Sequence, residues 1–224
     1  MQTYKKEFAE FLVRADALQF GEFTLKSGRS SPYFFNSSKF NNGPLIEELG
    51  SYYAAAIEEN APNCNLIYGP AYKGIPLCLT TAIALSARLK QDIGYFFNRK
   101  EKKTHGDQGT LVGQFPLARD CVVMVDDVIT DGLTKIESVS LIRELCKIEF
   151  FGVLVALNRM EKNSQANDAI TEFQQKTGVP VWSIITIRET CDYLKNREID
   201  GSVVLDESTF LKIENYLAEH SARS

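Results

Sequence analysis

The stretch VVMVDDVITDGLT, Val122 to Thr134, reads as four apolar residues, two adjacent acids and a polar turn that ends in Gly, Leu and Thr. An unbroken apolar run of that length, closed by a turn, fits a strand buried on both faces of a parallel sheet. A helix is expected to start at about Leu133. The first backbone N–H groups of a helix lack intrahelical partners and carry partial positive charge, so the turn from Asp126 to Thr134 suits an anion such as a phosphate. Asp126 and Asp127, being anionic, suit hydroxyls instead. Together they fit a ligand carrying both hydroxyls and a phosphate, such as a ribose 5-phosphate. Asp and Thr are also ordinary helix-start residues, so on the turn alone a plain strand-turn-helix unit fits equally well.

Outward from this turn, strands are expected at Leu66–Tyr68, Gly94–Phe97, Cys121–Val125, Phe151–Leu157 and Val181–Ile185. Helices are expected near Ile75–Leu89, Leu133–Cys146 and Ala166–Thr177. Such alternation predicts an α/β fold with a central, mainly parallel sheet flanked by helices, and ligands at the carboxyl ends of the strands. Upstream, Phe8, Phe11, Leu12, Ala15 and Leu18 repeat at helical spacing and predict an opening helix ending near Phe20–Gly21. Extended pieces at Glu22–Leu25 and Tyr33–Asn36, joined by the turn-rich KSGRSSP, predict a hairpin. A helix from Leu45 to Glu59 follows, and Phe210, Ile213 and Leu217 suggest a closing helix. There is no internal repeat or interdomain linker, so residues 1–224 are read as a single domain.

Composition narrows the class. With 44% hydrophobic and 24% charged residues the chain has the balance of a globular protein. A net charge of −4 argues against general adhesion to nucleic acid or to an anionic membrane. The opening MQTYKKEFAEFL lacks the apolar core of a signal peptide and no stretch is long enough to span a bilayer, so a cytoplasmic location is expected. Cys64, Cys78, Cys121, Cys146 and Cys191 are odd in number, show no metal-ligand spacing and read as reduced packing residues.

Against that negative charge, RKEKKTHGDQGTLVG places Arg99, Lys100, Lys102, Lys103 and His105 ahead of three glycines. It has no hydrophobic period and reads as a loop, either simply solvated or suited to a highly charged substrate. In GPAYKGIP, Gly69 and Gly74 would permit unusual backbone angles and close approach to a ligand around Lys73; a structural turn with an exposed lysine is the plainer reading. Phe34 and Phe35 would offer a flat ring an apolar face, or are core. Arg159 ends a strand, where a guanidinium fork suits a carboxylate, whether of a ligand or of an ion-pair partner.

The acid-pair turn resembles the phosphoribosyl-diphosphate (PRPP) binding motif of type I phosphoribosyltransferases. Three further segments, FTLKSGRSSPYFFN at Phe23–Asn36, YGPAYKGIPL at Tyr68–Leu77 and FFNRKEKKTHGDQG at Phe96–Gly109, are similar in order and spacing to the orotate phosphoribosyltransferases of that group. The resemblance covers nearly the whole chain. It implies transfer of the 5-phosphoribosyl group from PRPP to orotate, giving orotidine 5'-monophosphate and diphosphate in de novo UMP biosynthesis. Mg²⁺ would arrive on PRPP, with no metal ligand assigned to the chain.

The same resemblance assigns Asp126 and Asp127 to the ribose, and Val128, Ile129, Thr130, Asp131, Gly132, Leu133 and Thr134 to PRPP, with Thr130, Gly132 and Thr134 at its 5-phosphate. Tyr72, Lys73, Arg99, Lys100, Lys103 and His105 fall at the diphosphate. Lys26 falls between PRPP and orotate, and Phe34, Phe35, Thr130 and Arg159 at orotate. Lys103, Asp126, Asp127, Lys73 and Lys26 are the residues it marks as catalytic. It also implies a homodimer with shared active sites and a hood built from residues 1–40 and the C-terminal helix.

Asp131 and Leu133 depart from the family, which has Ala or Thr and Thr or Gly there; Asp131 is expected to face solvent or cap the helix. A purine or uracil phosphoribosyltransferase would share Val122–Thr134 but has no reason for Arg159 or the Lys26–Phe35 segment. A PRPP-sensing regulator would need a basic nucleic-acid surface, which the composition lacks. A module using the turn only as structure is the weakest alternative.

Overall fold

In a computed structural model that describes residues 1–25, 28–99, 110–130, 132–162 and 167–221, the apolar run Val122–Asp126 is a strand buried at all five positions. The elements follow as α1 (Thr3–Arg14), β1 (Leu18–Thr24), β2 (Ser30–Phe35), α2 (Gly43–Asn60), β3 (Leu66–Gly69), α3 (Gly74–Leu89), β4 (Gly94–Asn98), β5 (Leu111–Gly113), β6 (Val122–Asp126), α4 (Leu133–Cys146), β7 (Phe150–Asn158), α5 (Ala169–Thr177), β8 (Val181–Thr186), α6 (Ile187–Leu194), β9 (Glu198–Ile199), β10 (Ser202–Val203) and α7 (Glu207–His220). One sheet of order β5-β4-β3-β6-β7-β8 forms the centre. Its strands pair in parallel except β5, which runs antiparallel along β4 at the edge.

The unbroken hydrophobicity of β6 follows from cover on both faces. Val122 and Met124 pack with Val139 and Ile142 of α4 and Phe173 of α5, while Val123 and Val125 belong to the core shared with α2 and α3. Side chains alternate across a strand, so both sets must be apolar. Burying each fully contributes about 1.5–3 kcal/mol, more than strand propensity supplies. The strand order also locates the site. From β3 the chain steps to β4 on one side, whereas β6, β7 and β8 extend on the other, so the order reverses between β3 and β6 and leaves a crevice beyond their carboxyl ends.

The N-terminal part departs from its sequence reading. Helix α1 ends at Arg14 rather than near Phe20–Gly21, Asp16 adopts a φ of 56°, and Leu18–Thr24 is a strand. Leu18 and Phe20 are two residues apart, which is the strand period, and Leu18 pairs with Phe35 while Thr24 pairs with Ser30. The hairpin is therefore longer than expected. Strand β5 lies in a run read as loop, and α6 and the β9–β10 ribbon were not anticipated. Helix α7 packs on β2, with Tyr216 edge-on to Tyr33. Among the described residues no helix is long and apolar enough to cross a membrane.

Candidate active site

The crevice at the strand reversal is lined by the acid pair. Asp126 and Asp127 are 9% and 8% exposed. Each carboxylate accepts the next residue's backbone N–H, Asp126 Oδ1 from Asp127 and Asp127 Oδ1 from Val128, both at 2.9 Å. Their second oxygens are held by cations. Lys135 Nζ lies 2.6 Å from Asp126 Oδ2, and Lys73 Nζ lies 2.8 Å from Asp127 Oδ2, which also accepts the Ser37 hydroxyl at 2.5 Å. Buried Tyr53 donates its hydroxyl to the Asp126 carbonyl at 2.7 Å and so fixes the end of β6.

The two acids titrate in opposite directions. Burial pushes the Asp126 carboxyl above the usual carboxylate range; Lys135 opposes the rise and Asp127 adds to it. Burial also acts upward on Asp127, but the hydrogen bonds from Lys73 and Ser37, with the charge of Lys73, bring it below its ordinary value.

Beyond the acids, Val128 and Ile129 are partly buried and Thr130 and Thr134 are exposed. Gly132 opens α4 with a φ of 72°, in the left-handed region where a Cβ is strained. Gly132 at the start of α4 offers no side-chain cap, nor does Lys73 at the start of α3. By contrast α2, α5, α6 and α7 are capped by Asn42, Asp168, Thr186 and Asp206. Helices α3 and α4 start at the carboxyl ends of β3 and β6, where the partial positive charge of a helix N-terminus suits an anion.

The turn between β3 and α3 is tighter than its glycines suggested. Neither Gly69 nor Gly74 has a positive φ; a Cβ on Gly69 would fall 2.1 Å from the Gly74 carbonyl oxygen, so the two glycines let the strand end meet the helix start rather than a ligand. Tyr72 is 64% exposed, after a cis Ala71–Tyr72 peptide. Asn98 Oδ1 accepts from Tyr68 Oη at 2.7 Å and from Ala71 N at 3.2 Å, locking the ends of β3 and β4 together. Arg99 donates its backbone N–H to Thr110 at 2.8 Å, and its Nε is buried with no hydrogen-bond partner among the described residues. Lys26, Lys100, Lys103, His105 and Asp131 lie outside the described residues.

A second charged cluster stands at the end of β7. Arg159 Nη2 binds Glu161 Oε1 at 2.8 Å; the other Glu161 oxygen takes Arg29, and the Tyr33 hydroxyl also donates to Glu161. The Arg159 guanidinium lies over the Tyr33 ring at 5.3 Å and that of Arg29 over Tyr216 at 5.5 Å. Two guanidiniums against one carboxylate leave one positive charge, and the Nε of each arginine is buried without a partner among the described residues. The Phe34–Phe35 pair does not form one apolar face. Strand alternation turns Phe35 into the core, while half-buried Phe34 stacks on Phe23 at 5.6 Å.

Of the residues read from the sequence, the fold brings Lys73, Asp126 and Asp127 into direct contact through side chains, with Thr130, Gly132 and Thr134 on the adjoining turn. Ser37, Lys135, Arg29, Tyr33 and Glu161 were not singled out beforehand. For Lys135 a signal existed: a cation in the first turn of a helix opposes the macrodipole and needs a reason.

A sheet whose order reverses at an acid pair, with a glycine-opened helix start beside it, is the arrangement of a type I phosphoribosyltransferase fold. The 1.9 Å crystal structure of orotate phosphoribosyltransferase from Francisella tularensis matches it with a TM-score of 0.82 and 32% identity, over 96% of this chain and 100% of that one. No protein-family model matches. Among curated relatives, orotate phosphoribosyltransferase of Clostridium botulinum (strain Alaska E43 / Type E3) is 39% identical over 224 residues, 100% of both chains. That of Methylococcus capsulatus is 48% identical over 195 residues, 87% of this chain and 90% of its own. The chain belongs to the orotate phosphoribosyltransferase family.

Proposed function

We infer that the chain transfers the 5-phosphoribosyl group from PRPP to orotate, releasing diphosphate and forming orotidine 5'-monophosphate, a step of pyrimidine biosynthesis. The observation that carries this is the buried acid pair at the strand reversal beside the start of α4. Asp126 and Asp127 accept the ribose hydroxyls and support positive charge that develops on the ring as the C1–oxygen bond breaks. Thr130, Thr134 and the first-turn N–H groups after Gly132 take the 5-phosphate. The attacking atom is an orotate nitrogen, so no side chain needs to act as a covalent nucleophile.

Lys73 is 62% exposed at its side chain, so it is free to swing from Asp127 to the departing diphosphate, with Tyr72, Arg99, Lys100, Lys103 and His105 completing that subsite. At the base subsite, Arg159 pairs with the orotate carboxylate, Phe34 offers ring surface, Phe35 offers main-chain groups, and Lys26 bridges to PRPP. This arrangement selects orotate over uracil, which lacks the carboxylate. The carboxylates of the acid pair are each engaged by a lysine, which fits Mg²⁺ held by PRPP oxygens and water rather than by a protein cage. The bound ion supplies charge neutralisation of the diphosphate. The hairpin β1–β2 and α7 form the hood of a single domain, and the working unit is a cytoplasmic homodimer with shared sites.

The test is loss of orotate absorbance on adding PRPP and Mg²⁺, with uracil, hypoxanthine and adenine as parallel bases. Turnover of orotate alone is expected; comparable turnover of another base would overturn the assignment.

A further inference from the structure

Lys135 is 8% exposed in the first turn of α4, at the positive end of the helix dipole. Both conditions disfavour a cation: burying an ammonium costs several kcal/mol before pairing, and the dipole adds about 0.3–1 kcal/mol against it. What holds it there is the Asp126 carboxylate at 2.6 Å, itself almost as buried.

The second cation of the acid pair is differently placed. Lys73 reaches Asp127 from an exposed loop, with 62% of its side chain in solvent against 10% for Lys135. When Lys73 transfers to an anionic ligand, two adjacent buried carboxylates are left, and only Lys135 stays to oppose their repulsion. Resting on the function proposed above, we propose that Lys135 is a positioning residue: a fixed counter-charge that keeps Asp126 ionised and aimed at the ribose while Lys73 leaves Asp127 for the diphosphate.

The geometry specifies how the fixed cation acts. Asp126 Oδ2 is held by Lys135 and Oδ1 by the Asp127 N–H, so the carboxylate plane is set by two directions. Among the described residues, the other titratable or charged groups around Asp126 are Asp127 beside it, Lys73 acting through Asp127, Tyr53 from α2 on its carbonyl, and Tyr68 from β3. Of these only Lys135 is a buried cation in direct contact. Burial already lifts the Asp126 carboxyl and Lys135 pulls it down, so losing the cation moves Asp126 further toward its protonated form.

The experiment compares wild type with Lys135→Met, Lys135→Gln and Lys135→Arg in kcat/KM for PRPP across about pH 5.5–8.5, alongside the KM for orotate, calorimetric PRPP binding and a melting curve. The two neutral variants are expected to lose roughly tenfold more activity at about pH 6 than at about pH 8, with the acid limb moved to higher pH. Their KM for orotate should stay unchanged, and Lys135→Arg, which keeps the charge, should restore the wild-type limb. Lys135→Gln retains a hydrogen-bond donor at the site, so it reads the charge alone if Lys135→Met fails to fold.

A loss uniform across pH in Lys135→Gln, or an unmoved acid limb, would overturn the proposal. A wild-type chain that neither binds PRPP nor consumes orotate would instead sink the underlying functional reading.

Discussion

Two buried acidic clusters flank the site, and they count their charges differently. Around Asp126 and Asp127 two carboxylates meet two lysines; around Glu161 one carboxylate meets two guanidiniums. The first cluster is neutral as it stands, which suits hydroxyl groups and allows one lysine to be lent elsewhere. The second keeps an unmatched positive charge and, among the described residues, buried Nε atoms without a partner, which suits an anion. Under the function proposed above, a sugar neutral at its hydroxyls would go to the first cluster and a base carrying a carboxylate to the second.

The largest expected effect lies at the neutral cluster. Asp127→Ala strands Lys73 and Ser37 and removes a ribose acceptor, and should lower kcat/KM for PRPP by about 10²–10³-fold in steady-state kinetics at saturating orotate. If orotate binding fell equally, the division between clusters would break. Next comes Arg159→Leu, expected to raise the KM for orotate by on the order of 10²-fold while PRPP binding by calorimetry shifts far less. A matching loss for PRPP would show that the second cluster is merely structural.

The smallest effect is a control remote in kind from both clusters. Thr186→Ala removes the capping box of α6 and should cost about 1 kcal/mol in denaturant melts, with kinetic constants unchanged. A kinetic change there would mean that helix docking, rather than local charge, governs the site.

Much of the fold was legible because strands buried on both faces must be apolar throughout, as in Val122–Val125, and because Gly and Pro punctuate the ends of helices such as α2. The opening helix was read too long because Leu18 sits at helical distance from Phe11 and Ala15 but pairs across the hairpin with Phe35, a contact that spacing along the chain does not reveal. Strand β5 has three residues and depends on β4 for its existence. Two missed elements did carry local signals: the Thr186–Glu189 capping box at the start of α6, and the Asp200–Gly201 turn, with φ of 48° and 83°, between β9 and β10.

At the site, the acid pair and Lys73 were readable from residue type and turn position. Ser37 and Glu161 were not, since each meets its charged partner only across 90 and 132 residues of chain. Phe34 and Phe35, adjacent in β2, fall on opposite faces of the strand, and the core takes Phe35.

The end of α7 has a practical consequence. Lys162 N–H donates to the His220 carbonyl at 2.9 Å and Glu161 bridges to Ser221, so the end of α7 is stitched to the segment that carries Arg159. An affinity tag or fusion partner appended on the far side of α7 would pull on the Arg159–Glu161 cluster, whereas one attached ahead of exposed Met1 leaves from a helix that takes no part in either cluster.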